Sequence, residues 1–205
     1  MPDTRDRILD AAAHVMRTRG FARTTTKEIA RAAGYSEATL YKNFQDKTDL
    51  FLAVLRERLP SLHPVLDELS AAAGRGVLAR QLAAAARGAI AFYEASFPVS
   101  ASVFSEPDLL AAHHAAVTRQ GAGPQYPLEA LARYLRLEQR QGRIRAGADC
   151  DAAASLLLGS CFQYAFLRCF AQSPPDPDAA AAHADGIAAT LLAGLEPVTP
   201  PRSGT

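Results

Sequence analysis

What the 205-residue chain lacks narrows it first. No charge of one sign dominates: 22 Lys and Arg stand against 21 Asp and Glu, a net +1, so the molecule as a whole is no polycation. Cys150, Cys161 and Cys169 are an odd number without a CxxC pair, which argues against a disulfide scaffold and fits a reducing cytoplasm. No run of about 18 apolar residues is apparent, so no membrane contact is expected. The first ten residues, MPDTRDRILD, are charged from the start and hold no apolar signal core, and the expected location is cytoplasmic. No internal repeat is visible. Local spacing offers no Ser-His-Asp arrangement, no phosphate-binding glycine loop and no paired carboxylates, so an enzyme reading has no support and no cofactor is expected.

What is present is an ordinary globular composition, 49% hydrophobic and 21% charged. The length suffices for one large domain or a small one plus a larger. Residues 1–50 hold nine Lys or Arg against seven Asp or Glu, leaving −1 for the remainder. That asymmetry is a weak pointer to nucleic acid.

The most informative stretch is 24–50, TTTKEIARAAGYSEATLYKNFQDKTDL. Thr25 and Glu28 have capping-box spacing, Ile29, Ala30 and Ala33 form an apolar stripe, and Gly34 supplies a left-handed stop. Ser36 is a suitable N-cap for a second helix over 37–43. At about 100° per residue, setting Leu40 inside brings Phe44 near it and turns Ala38 and Lys42 outward, with Thr39 and Tyr41 on the flanks. The exposed side is therefore small, polar and cationic. Such a face suits a major groove: Ala38 permits close approach, Lys42 reaches a guanine edge or a phosphate, and the Thr39 and Tyr41 hydroxyls reach phosphate oxygens. Asp46 caps the next helix and places Lys47 at its positive end, while Thr26 and Lys27 offer a second clamp at the first turn of the preceding helix. Two short helices alone are equally compatible with a plain three-helix core and a solvated cationic face.

Gly20-Phe21, Thr25-Thr26, Ile29-Ala30, Ala33-Gly34, Thr39-Leu40-Tyr41, Phe44, Lys47 and Leu50 form an ordered pattern that resembles the DNA-binding signature of the tetracycline-repressor (TetR-type, AcrR-like) regulator family. The resemblance implies an all-α fold, with an N-terminal three-helix helix–turn–helix DNA-binding domain and a larger helical ligand-binding and dimerisation domain. It implies that Thr26, Ser36, Thr39, Tyr41 and Lys47 hold phosphates, while Lys27, Glu37, Ala38 and Lys42 stand where bases are touched. Many members carry Gly where this chain has Ala38, a departure that bears on base readout more than on fold.

Along the rest of the chain, Thr4 or Asp3 caps a first helix over roughly 4–18, with Ile8, Leu9, Ala12, Val15 and Met16 at helical spacing and Gly20 ending it. A helix from Lys47 runs at least to Leu59. Pro60 interrupts the pattern, which Leu62, Val65, Leu66 and Leu69 resume. A long Ala-rich helix is expected over 76–96, ended by Pro98, with a loop at 98–105 and a further helix at 107–119. After a break at 121–127, a helix over 128–142 sets Leu128, Leu131, Leu135 and Leu137 against charged Glu129, Arg133, Arg136, Glu138 and Arg140. The stretch 151–171 is apolar almost all round, so it is central or packed against a partner chain. A last helix over 178–195 is rich in small residues, and 196–205 reads as a disordered tail. The expected division is 1–46 for DNA binding and 47–195 for regulation and dimerisation.

His113 and His114 are adjacent, about 100° apart on a helix, so a shared metal is not expected. The three cysteines read as buried apolar residues, with a redox sensor that uses Cys150 as partner the alternative. Phe92, Tyr93, Phe97, Phe104, Tyr126, Phe162 and Phe166, with His113, lie against a background of small Ala and are the candidate lining of a mostly hydrophobic ligand site; core filling explains each one singly. The reading is a homodimeric regulator, most simply a repressor, that binds a palindromic operator in double-stranded DNA and is released by a small-molecule effector. The last two helices, doubled by a two-fold axis, would form its dimer interface. The alternative is a helical DNA- or protein-binding module without an effector.

Overall fold

The computed structural model describes residues 3–120 and 123–195. Ten helices run through them: α1 (Thr4–Arg19), α2 (Thr26–Ala33), α3 (Glu37–Tyr41), α4 (Lys47–Glu57), α5 (His63–Ala71), α6 (Leu78–Ser105), α7 (Pro107–Gln120), α8 (Tyr126–Arg140), α9 (Cys150–Phe170) and α10 (Pro177–Leu195). No strand occurs among the described residues. Two compact units form. One runs to Pro60 and takes in Glu94–Gly123; the other holds Ser61–Tyr93 and the chain from Pro124 onward.

In the first unit, α1, α2 and α3 close around Ile8, Leu9, Met16, Ile29 and Leu40, all without solvent exposure. Leu50, Phe51 and Val54 of α4 are buried in the same core, with Phe51 edge-to-face on Phe21 at 4.8 Å. Helix α4 therefore packs with the three that precede it. Polar clamps sit outside this core. Arg5 of α1 grips the Glu57 carboxylate with two nitrogens at 2.6 and 2.9 Å and lies over the Phe44 ring. Arg58, just past α4, reaches Asp6 at 2.6 Å and Asp10 at 2.7 Å. The Arg5 guanidinium holds the Glu57 carboxyl down at about 2.

Pro98 does not end a helix. It lies inside α6, which runs to Ser105, so the expected loop at 98–105 is helical. An interior proline removes one backbone bond and crowds the preceding turn. Here burial of Val99 and Val103 in the first unit's core offsets that cost. At the 121–127 break, α8 begins at Tyr126, with Pro127 in its first turn, where a missing N–H costs nothing.

In the second unit, Leu82 and Ile90 of α6 pack with Leu131, Tyr134 and Leu135 of α8 and with Leu157, Leu158 and Cys161 of α9. Gly88 stands at a close approach: a Cβ there would lie 3.1 Å from a Val65 methyl of α5, so Val65 would have to give way. Glu138, expected on the charged face of α8, is fully buried. It follows Leu131 and Leu135 by seven and three positions, which places it on their face. Its Oε1 accepts the Gly74 N–H at 3.1 Å, and its Oε2 lies 3.0 Å from Arg143 Nη1, an ion pair without good hydrogen-bond alignment. Arg143 also donates to the carbonyls of Arg75 and Gly76. This cluster joins the α5–α6 turn to the end of α8.

Helix α9 divides its apolar residues between two sides. By length and composition it is apolar enough to cross a membrane, the one such helix among the described residues. One side is buried within the unit, through Ala153, Leu157, Cys161 and Ala165; Leu156, Phe162, Phe166, Leu167 and Phe170 of the other are exposed. The tail expected at 196–205 lies outside the described residues.

Candidate nucleic-acid interface

The helix ends that build the interface are fixed by short side chains. Thr25 Oγ1 accepts the Glu28 N–H and Glu28 reaches back to the Thr25 N–H at 3.0 Å, a reciprocal cap that starts α2. These bonds, together with Arg19 at 2.8 Å, hold the Glu28 carboxyl below its usual range. Gly34 ends α2 at φ +79°, a left-handed conformation that side chains resist. Two residues later Ser36 Oγ accepts the Thr39 N–H and starts α3. The turn between the helices is thus dictated residue by residue.

Helix α3 is shorter than the expected 37–43, ending at Tyr41, yet its faces fall as the spacing predicts. Leu40 and Phe44 are buried; Ala38, Tyr41 and Lys42 are exposed. Lys27 is exposed as well, and neither its ammonium nor that of Lys42 has a protein partner among the described residues. Ser36 and Thr39 join hydroxyl to hydroxyl at 2.9 Å. Two site residues are more engaged than the sequence suggested. Thr26 is buried; it donates to Glu37 Oε1 at 2.5 Å and lies 3.2 Å from the Tyr41 hydroxyl. Lys47 is half-buried with its Nζ 4.1 Å from the centre of the Phe21 ring, and desolvation lowers its pKa. The Thr26–Glu37–Tyr41 cluster was missed because its members come from two helices separated by a turn, and no spacing rule couples them.

The eight candidate ligand residues divide between the units. Phe97, Phe104 and His113 belong to the first, and Phe92, Tyr93, Tyr126, Phe162 and Phe166 to the second. In the second unit Phe92, Tyr93 and Phe162 form an edge-to-face chain at 5.2 and 5.4 Å, and burial pushes the Tyr93 phenol up. Tyr126 stacks on His63 at 4.3 Å. Phe104 is 77% exposed. His113 is half-buried, which lowers its pKa, while His114 is exposed. An open groove of about 810 Å³ runs along α9 and α10, lined by Leu156, Leu157, Ile187, Leu191 and His183 among others, and it contains none of the eight. Of the cysteines, Cys150 and Cys161 are buried, with the Cys161 thiol pushed up to about 12, whereas Cys169 is exposed, against expectation.

Comparison with known proteins matches this geometry. Residues 8–54 fit the family model for bacterial regulatory proteins of the tetR family, and residues 112–194 that for the C-terminal domain of AefR-like transcriptional repressors. An uncharacterised HTH-type transcriptional regulator of Mycobacterium bovis is 31% identical over 160 residues, 76% of this chain and 77% of that protein. A second, from Bacillus subtilis, is 41% identical over 68 residues, 33% of this chain and 36% of the relative, so there the match spans only about a third of the relative's length. Among solved structures, the regulator FadR of Bacillus subtilis in complex with stearoyl-CoA has a TM-score of 0.66 at 18% identity, covering 93% of this chain and 98% of that one. A complex of triclosan with SmeT, the multidrug efflux pump repressor of Stenotrophomonas maltophilia, has a TM-score of 0.64 at 22% identity, covering 98% and 97%. With its capped helix–turn–helix and all-helical remainder, the chain belongs to the TetR family of transcriptional regulators, which bind DNA and are not enzymes.

Proposed function

We propose that the chain is a homodimeric cytoplasmic repressor that binds a palindromic operator through α2 and α3 and is released by a small, mostly hydrophobic ligand. The observation that carries this reading is the exposed face of α3, small at Ala38 and cationic at Lys42, set by caps at Thr25 and Ser36 beside an unpaired Lys27. Lys27, Glu37, Ala38 and Lys42 meet base edges; Ser36, Thr39 and Lys47 hold phosphates, Lys47 by swinging off Phe21. The division into residues 1–46 for reading and 47–195 for regulation follows the same logic, with α4 as the element that starts beside DNA.

A dimer is supported by α9, whose Leu156, Phe162, Phe166, Leu167 and Phe170 lie exposed on one apolar side, the kind of surface that marks an interaction site. A second copy laid on α9 and α10 would cover that side and give the two-fold assembly that a palindromic operator calls for. The effector class is supported by the ligands in the FadR and SmeT structures, a C18 acyl chain on a charged coenzyme A head and the aromatic triclosan, and by the Phe92–Tyr93–Phe162 chain. Such a ligand releases DNA only by binding the non-operator conformation better.

Lys42→Ala tests the reading face. It should weaken operator binding about tenfold, the scale of one good base contact, while sedimentation still gives a dimer. Unchanged affinity would remove α3 from the interface, and a wild-type monomer would remove the α9–α10 dimer.

A further inference from the structure

Proton bookkeeping separates two pairs of hydroxyls that the family resemblance treats alike. Thr26 has one hydroxyl hydrogen, and it is donated to Glu37 Oε1 at 2.5 Å. The 3.2 Å contact between Thr26 and Tyr41 therefore has Tyr41 as donor. Both hydrogens are spent in one direction, Tyr41 to Thr26 to Glu37. A phosphate oxygen only accepts, so neither hydroxyl can bind one while the relay stands. Ser36 and Thr39 differ: their mutual bond at 2.9 Å uses one of two hydrogens and leaves the other for a phosphate.

We propose that Thr26 and Tyr41 are positioning residues for Glu37, and that Glu37 reads cytosine. The inference rests on α3 entering the major groove. Thr26 is buried at the first position of α2, so the relay anchors the carboxylate to a rigid element rather than leaving it to sample rotamers. Glu37 Oε2 has no protein partner among the described residues. A carboxylate accepts only, and major-groove donors are the amino groups of cytosine and adenine. Adenine sets its N7 acceptor beside its amino group, which repels a carboxylate; cytosine carries the N4 donor without that neighbour. Guanine O6 and N7 and thymine O4 are disfavoured outright.

The test selects sites from a random duplex pool with the wild-type protein, then measures affinity for every single-base variant of the winning site. The expected result is cytosine at one position of each half-site, preferred about tenfold over other bases, the scale of one base-edge contact. Glu37→Gln should lose or redirect that preference. Thr26→Val and Tyr41→Phe should flatten the same position to within about threefold, leaving preferences elsewhere intact, and Thr26→Ser should restore it. The inference is overturned if Thr26→Val and Tyr41→Phe weaken all sites by a common factor with the base preference unchanged, the signature of lost phosphate contacts. It is equally overturned if Glu37→Gln changes no preference. A wild-type protein that selects no sequence removes the operator reading itself, a failure distinct from these two.

Discussion

The two units are held together in different ways. In the first, α1, α2, α3 and α4 all begin on a side-chain cap, from Asp3, Thr25, Ser36 and Asp46. In the second the starts are mixed: Asp149 caps α9 and Asp176 accepts an N–H in the first turn of α10, whereas α5 and α8 have no side-chain cap and carry an early proline. Its long helices also pack through many small residues, with one carboxylate, Glu138, fully buried among them. Caps fix directions locally, which suits a surface that must present a few side chains at set angles. Long Ala-rich helices fix little locally, and their arrangement is decided by packing.

Three changes would break or sharpen this contrast. The largest effect is expected at Glu138. Glu138→Ala leaves Arg143 and the Gly74 N–H without their buried partner, and loss of one member of a buried pair costs about 3 kcal/mol or more. Denaturant melts should show that loss, with hydrogen exchange accelerating first around residues 72–76 and 138–143. Thr25→Ala should cost about 1 kcal/mol, with faster exchange confined to the start of α2. Equal spread of that effect through α8 and α9 would contradict the local character of the caps. The smallest effect is an acid one. The Glu57 carboxyl is held near 2, below its ordinary 4.5, by Arg5. The ionised form is favoured in the folded protein, so this contribution is complete above pH 4.5 and fades as pH falls toward 2. Thermal melts of Glu57→Gln should match the wild type most closely at the acid end and fall below it at neutral pH.

How much was legible in the sequence follows the same line. The Thr25–Glu28 box, the Gly34 stop and the inward Leu40 were readable because each is a rule over three or four residues. Pro98 misled, since its own cost is local but the compensation by Val99 and Val103 comes from a distant core. Glu138 was assigned to water by residue type, although its spacing from Leu131 and Leu135 placed it inside. The outward face of Phe162 and Phe166 could not be read at all, because α9 is apolar on every side and the packing of α6, α8 and α10 decides which side is left open. The Thr26–Glu37 bond joins two helices across a turn, beyond any periodicity.

Sequence reading by the α2–α3 face underlies the proposed function. The most direct test is a fluorescence-anisotropy titration of the purified full chain against DNA from its own upstream region, at two salt concentrations and beside a scrambled duplex. Tight, sequence-selective binding that weakens as salt rises is expected, since cations on the protein displace counterions from phosphates. Weak binding of equal strength to both duplexes at both salt concentrations would contradict it.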